Sequence, residues 1–379
     1  MIYFDNAATT KVSKNALDAM MPYYRNIYGN PSSTSLIGVR ANEALYYART
    51  IMSEVLGVNQ GEIIFTSGGT ESDNQAIMSA ARYGESVGKK HIISSKIEHH
   101  AVLNVLEDLK KNGYEITLVN VDKEGIVDIE EIKKAIRPDT VLISIMYANN
   151  EIGTIQPIKE IGEICKERGV LFHTDAVQAM GHIPIDIEGS NIDYLSLSAH
   201  KFNGPKGVGA LYAKKNAPVF SLIKGGAQEN KRRAGTENVP GIIGMATALK
   251  ESCNSLEEKC AQLKILRDSL MCKLLEISGS HLNGSIERRL PGNVSVCFEG
   301  IVGETAILLL NERGICVSSG SACTSGNLEP SHVLLALGRD KELAQGALRF
   351  SLAFDNTMEE VSEVYEAVKY VVETLRSSR

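Results

Sequence analysis

Several things are missing from this sequence, and each absence removes a class of function. No stretch approaches the ~18 uninterrupted apolar residues of a membrane span, so no membrane association is expected. The opening run MIYFDNAATTK carries Asp5 and no apolar core, unlike a signal peptide. The cytoplasm is therefore the expected compartment. The seven cysteines (Cys165, Cys253, Cys260, Cys272, Cys297, Cys316 and Cys323) form no CxxC pair and are odd in number. That argues against a disulfide framework or a zinc site, and no resident metal is expected. There is no long block of one charge. The net charge is −6, and the densest basic cluster is only Lys231, Arg232 and Arg233, so nucleic acid is not an expected partner. Neither a GxGxxG fingerprint nor a Gly-Lys-Ser/Thr loop occurs, so nucleotide binding is not indicated.

What is present points to a large α/β protein. A chain of 379 residues exceeds a typical single core, and its 43% hydrophobic content is ample for two. From about residue 62 to 212, short β-rich runs (EIIFTS, HIISS, EITLV, VLISIMY, VLFHTD, YLSLS, GALYA) alternate with helical stretches. That rhythm predicts βαβ units and a mainly parallel sheet with helices on both faces. Two helices are expected before it, near 15–28 and 35–56. After Pro240 a long amphipathic stretch runs to about Ile277. Cys253, Cys260 and Cys272 fall in it and read as buried small hydrophobes. The last third predicts a smaller α+β unit: strands at 293–298, 314–317 and 347–352, and helices at 303–312, near 331–337 and from Thr357. Cys316 reads as core. The expected division is a large domain at 15–250 and a small domain made of 1–14 and 251–379.

In open α/β sheets ligands bind at the carboxyl ends of the strands, and four segments there carry candidate chemistry. Ser67-GGTES-Asp73 opens a helix after a strand. Its glycines let backbone N–H groups approach a phosphate and Thr70 is a good N-cap, although an ordinary βα turn reads the same way. Asp175, in Phe172-HTDAVQ-Ala179, could hold a charged ligand group or simply cap the next helix. Lys201, in Ser196-LSAHKFNGPKG-Val208, could form a Schiff base in a desolvated pocket or reach out to solvent. His99 and His100 follow the strand HIISS, where one of the pair could face a pocket or lie at the surface. Together these are more specific than any one alone. A phosphate cradle, a carboxylate and a lysine 26 positions later are what pyridoxal phosphate requires. One further segment stands out: in Val317-SSGSACTSGN-Leu328, small and polar residues surround a single thiol, Cys323.

These segments, with YFDNAATT, EHHAVL, NNEIGT, RRAGTENVPG, LRFSL and SSGSACTSGNLEPSHVL, resemble the class V, fold-type I pyridoxal-phosphate enzymes, and within them the cysteine desulfurases of the NifS/IscS type. The resemblance runs along nearly the whole chain. It implies that Lys201 holds pyridoxal 5'-phosphate covalently and moves protons at Cα. Asp175 would pair with the pyridinium nitrogen, Gln178 would bond the ring oxygen, and His99 would stack on the ring as an acid/base. Gly69, Thr70, Ser198 and His200 would bind the phosphate, joined by Thr236 from the other subunit of a homodimer. Asn150 and Arg349 would hold the substrate carboxylate. Cys323, on a loop at about 317–330, would take sulfur from L-cysteine as a persulfide, leaving alanine. It would pass the sulfur to acceptors such as an iron–sulfur scaffold, and the persulfide could ligate a transient cluster. The short C-terminus and the segment SLAFDNT depart from the expected pattern. A selenocysteine lyase or a cysteine/cystine β-lyase on the same fold is the alternative reading, and an aminotransferase is a more distant one.

Overall fold

Apolar side chains alternate along short strands at the centre of the molecule, and this places helices on both faces. Ile63 and Phe65 enter one core cluster and Ile64, between them, enters another. The computed structural model describes residues 1–319 and 330–377. After a short strand β1 (Ile2–Tyr3) come the seven strands of the central sheet. They are β2 (Ile63–Thr66), β3 (His91–Ser95), β4 (Glu115–Val119), β5 (Thr140–Ser144), β6 (Leu171–Asp175), β7 (Tyr194–Ser198) and β8 (Gly209–Ala213). Their order is β2-β8-β7-β6-β5-β3-β4. Only β8 runs antiparallel to its neighbours, so the mainly parallel sheet expected from the rhythm is found.

The helices of this region are α1 (Lys14–Arg25), α2 (Leu36–Leu56), α3 (Gly69–Ser86), α4 (His100–Lys111), α5 (Ile129–Ala135) and α6 (Ile158–Arg168). A single distorted turn, α7 (Gln228–Lys231), precedes α8 (Val239–Cys253). Local signals set their ends. Ser13 and Ser35 cap α1 and α2 by accepting from Ala16 N and Gly38 N. The left-handed Gly57 and Gly169 close α2 and α6.

The stretch after Pro240 is not one helix. It breaks at Asn254, which is extended, and Ser255, which is left-handed at φ 53°; α9 (Leu256–Leu275) follows. Both residue types bond readily to nearby backbone, which makes a break between them inexpensive. The elements beyond are β9 (Ser280–Leu282), β10 (Asn293–Phe298), α10 (Gly303–Glu312), β11 (Ile315–Cys316), α11 (His332–Ala336), α12 (Lys341–Gln345), β12 (Ala347–Ser351) and α13 (Met358–Ser377). The strands make two small sheets, β12-β10-β9 and β1-β11. A separate apolar core gathers Ile2 and Phe4 with α9, β10, α10, β12 and α13. The cysteine expectations are only partly met: Cys260 is buried, Cys253 and Cys316 are half-buried, and Cys272 is exposed. Cys316 sits on a two-residue strand paired on one side with β1, which leaves it incompletely covered.

Helix α6 packs on β6, the strand that ends at Asp175. A Cβ built on Gly162 of α6 would lie 1.8 Å from the carbonyl oxygen of Ser190. Alanine favours a helix interior by about 1 kcal/mol over glycine, but a clash with backbone outweighs that gain. Gly162→Ala is therefore expected to destabilise the protein by about 1–3 kcal/mol, read from the urea midpoint. An unchanged or raised midpoint would show that α6 can retreat from Ser190.

Candidate active site

Parallel strands point their carboxyl ends at one edge of the sheet, so the turns that leave them meet there. Strand β2 ends at Thr66, and Thr66 Oγ1 lies 2.8 Å from Ser72 Oγ, closing the turn into α3. The N-cap is Gly68, not Thr70 as expected; Thr70 is already inside the helix. Gly68 takes φ +155°, a conformation side chains rarely adopt, and this turns the chain tightly enough to start the helix one residue later. At Gly69 a Cβ would fall 2.6 Å from Val177 Cγ2. The bare backbone thus lets the first turn of α3 sit against the turn after β6.

These turns surround a cavity of about 630 Å³. Gly69, Thr70, Ser198, His200, Lys201, Asp175, Gln178, His99, Asn150 and Arg349 all line it. Ten of the twelve residues expected in the site therefore converge. Thr236 does not line this cavity; it lies exposed on the surface. Cys323 lies outside the described residues.

Lys201 belongs to a 3₁₀ turn, Ala199–Lys201, directly after β7. Its Nζ donates to Ala7 O (2.7 Å) and Ala8 O (2.8 Å), so the chain near its start holds the amine. Gln178 Nε2 donates to the same Ala7 O at 3.0 Å. His200 Nδ1 lies 3.1 Å from Thr9 Oγ1. His99 is the N-cap of α4, where its Nδ1 accepts from Ala101 N at 3.1 Å. That bond places the proton of the neutral ring on Nε2. Both His99 and His100 line the cavity, so the vicinal pair does not split between pocket and surface.

Burial dominates the electrostatics. Asp175 is 7% exposed and accepts from Val177 N at 2.9 Å; among the described residues no Lys or Arg pairs with it. Its carboxyl is raised to about 7, chiefly by burial and further by the nearby Asp73, with His99 opposing. His99 and His200 are held below the ordinary imidazole range by burial, His200 at about 4. Behind Asp175, His173 Nε2 lies 3.5 Å from Asp73 Oδ1. Burial holds His173 at about 4 and lifts Asp73 to about 7, so at neutral pH this contact joins a neutral imidazole to a carboxyl group.

This donor set fits pyridoxal phosphate. The first-turn amides of α3 have no intrahelical acceptor and suit a phosphate. A buried carboxylate without a cation suits a ring nitrogen that carries a proton, and Lys201 reaches the same cavity.

The motif reading overlooked two acids. Glu98 is fully buried, its carboxyl takes donations from Ser95 Oγ and Met146 N, and burial pushes it up to about 8. Asp73 is 1% exposed. Both lie inside quoted segments, EHHAVL and Ser67-GGTES-Asp73, but nothing local marks an acid as buried. His332, just past the undescribed segment, also lines the cavity; its Nε2 donates to Glu98 O at 3.0 Å and its ring lies 4.9 Å from that of His100.

Comparison with known proteins identifies the family and the fold. The Aminotransferase class-V family model matches residues 2–364. A cysteine desulfurase IscS of Methanosarcina thermophila is 54% identical over 376 residues, covering 99% of this chain and 93% of its own. A solved NifS-like protein superposes with a TM-score of 0.93 at 42% identity, covering 98% of this chain and 99% of that one. A structure titled SspA in complex with cysteine superposes at 0.81 with 37% identity, covering 93% and 99%.

Glu98 sets a pH prediction. Below its ordinary carboxylate range both folded and unfolded chains carry the proton. As pH rises from about 4.5 toward 8, the unfolded chain ionises and the folded one does not, so stability is lost across that window. Glu98→Gln keeps the shape and cannot ionise. Its stability is expected to fall less steeply between pH 5 and 8, by up to about 1.4 kcal/mol per pH unit, measured by urea unfolding. Identical slopes for the two proteins would mean that Glu98 ionises in the folded state.

Proposed function

The chain belongs to the class V aminotransferase family, among the enzymes of NifS/IscS type, and from that premise we propose that it is a cysteine desulfurase in which Cys323 takes the sulfur. L-Cysteine and the Cys323 thiol become L-alanine and a persulfide. The carbon–sulfur bond breaks, a sulfur–sulfur bond to Cys323 forms, and the carbon left behind takes a proton. Atoms and electrons balance without an outside oxidant. The observation that carries the reading is the convergence of Lys201, Asp175, the first turn of α3 and Arg349 on one cavity. The similar protein titled as a complex with cysteine supports the substrate.

In this reading Lys201 holds the cofactor and moves the proton at the substrate's α-carbon from its place beside the Ala7 and Ala8 carbonyls. When bound, pyridoxal phosphate supplies an electron sink for the carbon next to the carboxylate. Asp175 stays ionised against the ring nitrogen, since a cation opposite it offsets the cost of burial. Gln178 steadies the ring oxygen. His99, with its proton on Nε2, offers a donor to the cavity; to accept a proton at Nδ1 it must release the Ala101 amide. Gly69, Thr70, Ser198 and His200 bind the phosphate. A second copy of the chain supplies Thr236, a role supported by its exposure away from its own cavity. Arg349 and Asn150 receive the substrate carboxylate.

The chain's ends around Cys323 support its role. Ser318 exchanges backbone hydrogen bonds with Arg349 (2.6 and 3.1 Å), and on the other side His332 lines the cavity. Five residues span at most about 17 Å, so a thiol five positions past Ser318 is within covalent reach of the site. The acceptors are sulfur-receiving proteins such as an iron–sulfur scaffold, supported by the IscS names of similar proteins. A division into two lobes is supported by the separate apolar cores, although Val12 and Cys253 pack with the large core, so the boundaries proposed at 14/15 and 250/251 do not coincide with the edges of the cores.

The deciding experiment is anaerobic. The yellow protein is mixed with L-cysteine without reductant, alanine is assayed, and the peptides are mapped by mass. One added sulfur on the Cys323 peptide, in step with alanine, is expected; alanine with no sulfur on that peptide would remove Cys323 from the reaction. Lys201→Ala is expected to abolish both the yellow chromophore and turnover. A borohydride-reducible yellow species persisting on another lysine would reassign the role. Asp175→Asn is expected to bind cofactor and lose about ten- to a hundredfold in kcat, and full turnover would show that a different carboxylate faces the ring.

A further inference from the structure

Arg349 is 2% exposed, and a guanidinium that deep needs compensation. Its Nη2 donates to Asp5 Oδ1 at 2.9 Å, and its Nη1 donates to Asn150 O at 3.1 Å. Arg349 and Asn150 line the cavity, but Asp5 does not. The carboxylate therefore grips the guanidinium from outside the site and does not occupy the place of a ligand. Asp5 is itself clamped to the strand that carries Arg349. Asp5 and Ser351 form a parallel bridge, Asn6 N donates to Ser351 O at 3.1 Å, and Ser351 N donates to Phe4 O at 2.7 Å. Two and three residues further on, the carbonyls of Ala7 and Ala8 hold Lys201 Nζ. One segment of four residues thus anchors both the arginine and the lysine.

We propose that Asp5 is a positioning residue for the substrate: it orients the Arg349 fork so that the site takes α-amino acids by a free α-carboxylate set at a fixed distance from Lys201. This rests on the reading of Arg349 as the carboxylate anchor. It goes beyond that reading by naming what aims the arginine. The two-point hold by Asp5 and Asn150 removes rotational freedom from a long side chain, so a bidentate pair with an incoming carboxylate forms without first ordering it.

The test uses the loaded full-length protein and two probes: 3-mercaptopropionate, which has thiol and carboxylate but no amine, and cysteamine, which has thiol and amine but no carboxylate. Binding is followed by calorimetry for the parent, Asp5→Asn, Arg349→Lys and the double variant, alongside KM and kcat for L-cysteine. Asp5→Asn is expected to weaken 3-mercaptopropionate about tenfold and raise KM about tenfold, with kcat changed by less than about twofold and cysteamine binding unaffected. The double variant is expected to be no worse than Arg349→Lys alone, because Asp5 acts through Arg349. If Arg349→Lys weakens the carboxylate probe and Asp5→Asn does not, the proposal falls and the reading of Arg349 stands. If neither weakens it, both fall. Equal weakening of both probes by Asp5→Asn would show a general structural role and overturn the proposal.

Discussion

The carboxyl group of Asp175, buried at the end of β6 with no Lys or Arg ion pair among the described residues, is the constraint around which the rest of the site is arranged. A charge in that position is costly unless something positive faces it, and Asp175 is raised to about 7, with burial the largest cause. The neighbouring Asp73 and Glu98 are lifted as well, to about 7 and 8. All three carboxyl groups line the cavity and each is held above its ordinary range, so whichever ionises needs a cation close by. The neutral His173, held at about 4, adds no cation behind it. A protonated ring nitrogen is what this arrangement lacks by itself and what the proposed cofactor brings.

The opening segment of the chain is the second organising element. Its strand β1 pairs with β11, Asp5 holds Arg349, Ala7 and Ala8 hold Lys201, and Thr9 lies against His200. The large sheet supplies the residues proposed to hold the cofactor, and the small sheets supply Arg349 and the strand end that leads toward Cys323. Ten residues near the N-terminus bind these two sets together. Motion of the small lobe relative to the large one would therefore be felt at both ends of the proposed substrate, its carboxylate and its amine.

The strands and helices of the large sheet were legible because their signals are local. Short β-rich runs such as HIISS, serine caps and left-handed glycines act within a few residues. The break at Asn254–Ser255 was not legible, since the apolar pattern continues across it and the two residues are individually tolerated in helices. The shift of the α3 cap from Thr70 to Gly68 has the same origin: a good capping residue was outbid by a backbone conformation that glycine alone reaches cheaply. The half-burial of Cys316 and the exposure of Cys272 depend on which neighbours cover them, and hydrophobicity along the chain does not record that.

The sequence by itself determined the parallel α/β architecture, the family and most of the residues that meet in the cavity, because motif and periodicity are properties of neighbouring residues. Tertiary structure alone decided that Glu98 and Asp73 are buried acids, that His99 carries its proton on Nε2, and that Asp5 reaches Arg349 across 344 positions. Each of these turns on desolvation or on a contact between distant segments. Neither exists until the chain has closed on itself, and so neither is written in any local stretch of it.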